Sequence, residues 1–397
     1  MKNINVFKNG IETLSYFSEQ LALGFEKMGH NIFYFDLEKE EKSFYELTEF
    51  CREGECIVIT FNFDGLRGEE RLYDENGELY WKKMQIPCMN IMVDHPFYYH
   101  ELLEKVEGEL GMDLYYQVSI DRDHEKYLHR FFPQIKHIIF LPLAGTEYGG
   151  NGISDRKYDI VFTGNYVPPK NFCTYIERID DEYTRFYEGI IDDLIKNPDM
   201  PMEMAFEKHL RREMGDLTEK DLMTCMGNMI FIDLYVRFYF RGEVVRCLAE
   251  AGLKIHVFGS GWDKLECNCK ENVIQEGGTD SAGCLKALSN AKISLNVMPW
   301  FKQGAHDRIY NSMLNGAVTV TDGSVFLKED LKEEENVIFY SLKDYTKLPW
   351  KIKELLLDEK ERKRLCKNGY NYAKTHHTWE ERAKELKVFW EKIECSE

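Results

Sequence analysis

One pattern constrains this chain more than any other. Short apolar runs, several without polar alternation, recur along it and are separated by stretches of helical period. In the first half the runs are "INVF" (4–7), "NIFYFD" (31–36), "CIVIT" (56–60), "PCMNIMV" (87–93), "DLYYQV" (113–118) and "HIIFL" (137–141). Between the first two, Leu14, Phe17, Leu21, Phe25 and Met28 recur at spacings of three and four, the signature of one helical face. Strands that are apolar on both faces belong in a parallel sheet covered by helices on each side. The class is therefore α/β.

The pattern pauses and restarts. "AGTEYGGNGISDRK" (144–157) is glycine-rich and polar, and reads as a linker. "YDIVFTGN" (158–165), "KIHVFGSGW" (254–262), "NVI" (272–274), "KISLNVM" (292–298), "AVTVT" (317–321) and "NVIFY" (336–340) then define a second α/β domain. Residues 170 to about 250 hold no convincing strand and are expected to form a helical insertion or crossover. Trp379, Ala383, Leu386, Phe389, Trp390 and Ile393 mark a final amphipathic helix. The expected boundaries are 1–150, 151–376 and 377–397.

Composition narrows the class of function. With 51 basic and 69 acidic residues the net charge is -18, so the chain as a whole should repel nucleic acid and anionic membrane surfaces. A local basic pocket is still compatible with that balance. Eleven cysteines, odd in number and irregularly spaced, argue against a disulfide framework. The opening "MKNINVFKNG" lacks the apolar core of a signal peptide, and no apolar run approaches the roughly 18 residues of a membrane span. A reduced cytoplasmic protein is expected.

Candidate chemistry concentrates in the second half. "GAHDRIYNSMLNG" places His306 and Arg308 in the first turn of a helix, where the dipole disfavours cations. A bound anion would remove that conflict. Gly304 allows close approach, Asp307 could cap the helix, and Arg308 could grip a diphosphate with its guanidinium fork. Asn311, one turn on, could reach a ribose or sugar hydroxyl. The strand ends "VFTGN", with Gly164 and Asn165, and "VFGSGW", with Gly259 and Ser260, offer backbone amides to phosphate, although glycine after a strand is also ordinary turn chemistry. Three such strand ends in one parallel sheet should share one edge, where doubly wound folds bind ligands.

In the first half, "NIMVDHPFYYH" (90–100) delivers Asp94 and His95 at the end of an apolar strand. Either could take a proton from an acceptor hydroxyl; the alternative is a strand cap with the aromatics packed inside. Asp121 and Asp123 read as helix caps. "CNC" (267–269) and His376-His377 lack the spacing and partners of a zinc site, and no metal is expected.

The stretches "YDIVFTGN", "LKIHVFGSGW", "LSNAKISLNVMP", "GAHDRIYNSMLNGAVTVTDG" and "LLLDEKERKRLCKNGYNYAKTHHTWEERAKEL" together resemble the C-terminal domain of group 1 glycosyltransferases, in particular the spore-maturation (CgeB-like) branch. The resemblance implies a GT-B fold, two Rossmann-like domains facing a central cleft, with a helical insertion in the second. It implies a nucleoside-diphosphate-sugar donor held by Gly164, Asn165, Gly259, Ser260, Gly304, His306, Arg308 and Asn311, and no separate cofactor. Asn311 stands where many relatives carry a glutamate that holds the ribose. The first domain would take the acceptor and supply Asp94 or His95 as a base, and the last helix would cross back onto it. An epimerase of the same fold and a non-catalytic nucleotide- or sugar-binding structural protein are the alternatives.

Overall fold

Each of the twelve apolar runs overlaps one strand of the structure, a computed structural model that describes residues 2–53, 56–149 and 156–395. The first six are β1 (Asn3–Lys8), β2 (Asn31–Asp36), β3 (Cys56–Phe61), β4 (Cys88–Met92), β5 (Tyr115–Ser119) and β6 (His137–Phe140). They form a wholly parallel sheet in the order β2-β1-β3-β4-β5-β6. The second six are β7 (Tyr158–Thr163), β8 (Ile255–Phe258), β9 (Val273–Gly277), β10 (Ala291–Asn296), β11 (Val318–Asp322) and β12 (Ile338–Tyr340). These form a second parallel sheet in the order β12-β11-β10-β7-β8-β9. Strands such as "YYQVS" and "VTVTD" are buried along their whole length, which is why they lack polar alternation.

The chain divides into one unit of Met1–Ala144 with His377–Glu397 and another of Gly145–His376. The division falls inside the glycine-rich segment, at 144 rather than 150; residues 150–155 of that segment lie outside those described. In the first unit, helix Trp379–Glu394 packs on helix Glu12–Lys27. Gly24 makes this possible, since a Cβ there would sit 3.0 Å from both the Ala383 side chain and the Trp379 carbonyl. Trp379 lies 5.1 Å from Phe17 and 6.0 Å from Phe61, ring centre to ring centre. The aromatic face is thus spent on the core. The Arg382 Nε donates to the Pro142 carbonyl at 2.6 Å, fixing the same helix to the chain beyond β6.

The helical block in the second unit divides into an insertion and a crossover. Helices Asp181–Lys196 and Met202–Met214 pair with each other, and Glu219–Gly227 packs on the latter, as an insertion would. Helix Ile230–Glu250 is different. It is the crossover that returns the chain from β7 to its parallel neighbour β8, and it buries Val236, Phe240, Val244, Val245 and Leu248. The insertion therefore ends before residue 230, and the last third of the block belongs to the Rossmann-like core.

Candidate anion site at the edge of the second sheet

In the second sheet β7 leads to β8 and β9 on one side, and the chain then crosses to place β10 on the other side of β7. That reversal is a topological switch point, and the crevice at the carboxyl ends of β7 and β10 is where such sheets take ligands. Gly164 follows β7 and Gly259 follows β8, with φ of 152° and 151°. The two turns lie against each other. A Cβ on Gly259 would stand 2.3 Å from the Gly164 carbonyl oxygen, and one on Gly261 would stand 2.0 Å from that of Tyr166. The Gly164 amide donates to the Phe258 carbonyl at 2.8 Å, and the Tyr166 amide donates to the Ser260 carbonyl at 2.9 Å. Asn165 Oδ1 accepts from both the Ser260 amide (2.9 Å) and its hydroxyl (3.2 Å). The Trp262 indole N–H donates to the Gly164 carbonyl at 2.8 Å.

The third segment joins them. Arg308 lies at the start of helix Asp307–Leu314, only 7% exposed, with Nη1 donating to Asn296 Oδ1 at the end of β10 (2.7 Å). A Cβ on Gly164 would be 3.4 Å from Arg308 Nη2, so guanidinium and glycine turn are adjacent. The helix cap is His306, not Asp307: the His306 Nδ1 accepts from the Arg308 amide at 3.3 Å. That same Nδ1 stands 2.5 Å from Asp307 Oδ1, and Nε2 stands 3.4 Å from Arg308 Nη2. One nitrogen cannot serve both neighbours at once; deprotonated it caps the helix, protonated it pairs with Asp307. Burial pushes the His306 pKa down, helped by Arg308 and opposed by Asp307. Burial also depresses Arg308 and would raise Asp307, but His306 and Arg308 hold that carboxyl below its ordinary range. Gly304 is buried, and its carbonyl accepts from the Ser324 hydroxyl at 2.7 Å.

Asn311 is occupied by the protein itself. Its Oδ1 accepts from the Thr146 amide at 2.8 Å and its Nδ2 donates to Asp307 Oδ2 at 2.8 Å. Asn315 clasps the same segment, with Nδ2 donating to the Thr146 carbonyl and Oδ1 accepting from the Tyr148 amide, both at 2.8 Å. Gly145 lets this segment lie on the helix, since a Cβ there would be 2.5 Å from the Tyr310 backbone.

Sequence reasoning missed the contribution of helix Ile230–Glu250. Arg241 is 7% exposed and lies 5.9 Å above the Phe162 ring, while Arg308 lies 5.3 Å above the same ring. Its Nη1 donates to the Asn165 carbonyl at 3.1 Å. Trp300 receives Arg237 at 4.2 Å and Arg241 at 5.0 Å, with His306 edge-on at 6.0 Å. Arg237 is paired with Asp233 at 2.8 Å. The only signal was the spacing of four between the arginines of "RFYFRG".

In the first unit, Asp94 and His95 follow β4 as expected. Asp94 Oδ2 accepts from Asn62 Nδ2 (3.2 Å) and from the Tyr99 hydroxyl (3.0 Å). His95 Nδ1 accepts from the Phe97 amide at 3.2 Å, and its ring packs 4.1 Å from Phe97 and 4.6 Å from His124. The neighbouring turn after β3, "FNFDG", was not singled out from sequence. Asn62 and Phe63 both adopt left-handed backbone, φ 46° and 69°, a conformation that is strained for a buried aromatic residue. Asn62 Oδ1 accepts from the Val93 amide at 2.8 Å, tying this turn to the end of β4. Burial raises the Asp64 carboxyl to about 6, against the pull of Arg67. Asp121 caps helix Arg122–Phe131 by accepting from the Asp123 amide at 2.8 Å.

Comparison with known proteins identifies the fold. The chain is similar throughout to a sucrose-phosphate synthase from Thermosynechococcus elongatus (TM-score 0.53, 12% identity, 100% of both chains). It is similar to an alpha-glucosyltransferase in complex with UDP (TM-score 0.54, 11% identity, 98% of this chain and 100% of that one). It is also similar to T4 phage BGT in complex with its UDP-glucose substrate (TM-score 0.53, 11% identity, 99% of both). The architecture is GT-B, two Rossmann-like domains. Against S. aureus TarM the chain spans 58% of that protein's length (TM-score 0.51, 12% identity, 87% of this chain). Residues 241–387 match a family model described as glycosyl transferase-like. No curated protein matches the sequence.

Proposed function

We propose that this protein is a glycosyltransferase that moves a sugar from a nucleoside-diphosphate donor to an acceptor nucleophile without a metal ion. The observation that carries the reading is the meeting of Gly164, Gly259 and Arg308 at the switch point of the second sheet, although 144 residues separate the first from the last. Backbone approach at the glycine turns and the Arg308 guanidinium suit a phosphate group, whose charge grows as the sugar leaves. His306 and Ser260 border the same place. The glycosyl transferase-like match covers Arg308 and Gly259, and the UDP-bound structures named above share the fold. In the first unit Asp94, held by Asn62 and Tyr99, is the proposed base for an acceptor hydroxyl, with His95 as the alternative. A hexose is the sugar class suggested by the neighbours, and the CgeB-like branch by the sequence motifs.

The test is release of free nucleotide from a panel of nucleotide sugars, with and without chelator. Slow hydrolysis of one donor class, resistant to chelator and reduced more than about 100-fold in Arg308→Ala, is expected. Asp94→Asn should then abolish transfer to an added acceptor while leaving nucleotide affinity intact. Failure of every nucleotide either to turn over or to raise the melting temperature would sink the reading.

A further inference from the structure

Arg241 and Arg308 form an electrostatically unusual pair. Both are 7% exposed, and both guanidiniums rest on the ring of Phe162. Their like charges oppose each other, and burial depresses the ionisation of each. Neither has a carboxylate within ion-pairing distance among the described residues; their protein partners are the neutral oxygens of Asn165 and Asn296, with His306 beside Arg308. The Arg241 Nε is buried without a hydrogen-bond acceptor among the described residues. Arg237, one turn away on the same helix, does have its carboxylate, Asp233. Two adjacent buried cations whose nearest carboxylates, Asp307, Asp233 and Asp322, act only from beyond ion-pairing distance are costly, and such an arrangement persists where a bound anion completes it.

We infer that helix Ile230–Glu250 is part of the binding site, and that Arg241 is a second cation which makes the site select a ligand with two linked phosphates over one with a single phosphate. The inference rests on the donor site proposed above and adds a residue and a selectivity to it. Arg308 and Arg241 approach the glycine turns from different elements, the first turn of helix Asp307–Leu314 and the middle of helix Ile230–Glu250. Gly164 lies beside the first guanidinium, and the Asn165 carbonyl anchors the second. A single phosphate placed at Arg308 would leave Arg241 uncompensated. A diphosphate spans both. Trp300, beneath Arg241 and Arg237 and edge-on to His306, keeps the second cation in register with the first.

Calorimetric titration with UDP, UMP, inorganic pyrophosphate and inorganic phosphate separates the possibilities. Wild type should bind UDP and pyrophosphate on the order of 10- to 100-fold more tightly than UMP and phosphate respectively, the worth of one added charge-assisted contact. Arg241→Gln should erase that preference, bringing UDP down to the UMP level while UMP affinity stays within about threefold. Arg241→Lys, which keeps the charge on a shorter donor set, should recover part of the preference, and melting curves of both variants report folding. Arg308→Gln should weaken UDP and UMP alike. If wild type binds UDP and Arg241→Gln retains the full preference, the assignment of Arg241 fails and the donor site stands. If wild type binds none of the probes, the donor site itself fails.

Discussion

At the scale of the residue, the site depends on what glycine lacks. Gly259 faces the Gly164 carbonyl so closely that a methyl group cannot fit, and its φ of 151° is unfavourable for any side chain. Gly259→Ala should destabilise the second unit by about 2 kcal/mol, a fall in melting temperature of roughly 4–8 °C, and should weaken nucleotide binding as well. A variant that melts and binds like wild type would show that the turns are not interlocked. Asn311 makes the opposite kind of prediction. Its amide holds Thr146 and Asp307, so Asn311→Ala should cost about 1–3 kcal/mol of stability, read by denaturant unfolding. Sequence could name this residue but not its duty, because its partner amide lies 165 residues away.

At the scale of the element, strands buried along their whole length, such as β5 and β11, announce themselves, and the less buried β2 and β6 were legible because they too keep an apolar run. Arg308 was legible for a related reason: a cation in the first turn of a helix contradicts the dipole and asks for an explanation. Helix Ile230–Glu250 carried no such contradiction. It is apolar on nearly every side, since it packs on a sheet below and on other helices, and an arginine among aromatics looks like any snorkelling side chain. The left-handed turn at Asn62 and Phe63 was hidden because neither residue type signals positive φ as glycine does. The pairing of helix Trp379–Glu394 with helix Glu12–Lys27 was foreshadowed by the aromatic face, but its contact point, Gly24, was not. Gly24→Leu should push the two helices apart and expose the 377–395 segment to limited trypsin digestion well before the rest of the chain. Equal protection in variant and wild type would count against that packing.

At the scale of the whole molecule, two buried carboxyls, Asp64 in the first unit and Asp322 in the second, are each raised to about 6 by burial. A raised acid keeps in the folded state a proton that the unfolded chain has lost. Its stabilising effect is complete below the ordinary value of 3.8 and disappears as pH climbs through about 6. Lowered carboxyls such as Glu147, whose burial is outweighed by Lys374 and Tyr370, act in the other direction and fail at acid pH. Stability should therefore peak on the acid side of neutrality, and Asp64→Asn with Asp322→Asn should flatten the decline between pH 5 and 7. A decline of unchanged steepness in that double variant would refute the assignment. His306 has a parallel consequence for heat. Burial, aided by Arg308 and Arg241 and opposed by Asp307, pushes its pKa down, so an arriving anion shifts it toward the protonated form. Ligand binding should thus draw a proton out of solution, and the measured enthalpy should change with the ionisation heat of the buffer chosen.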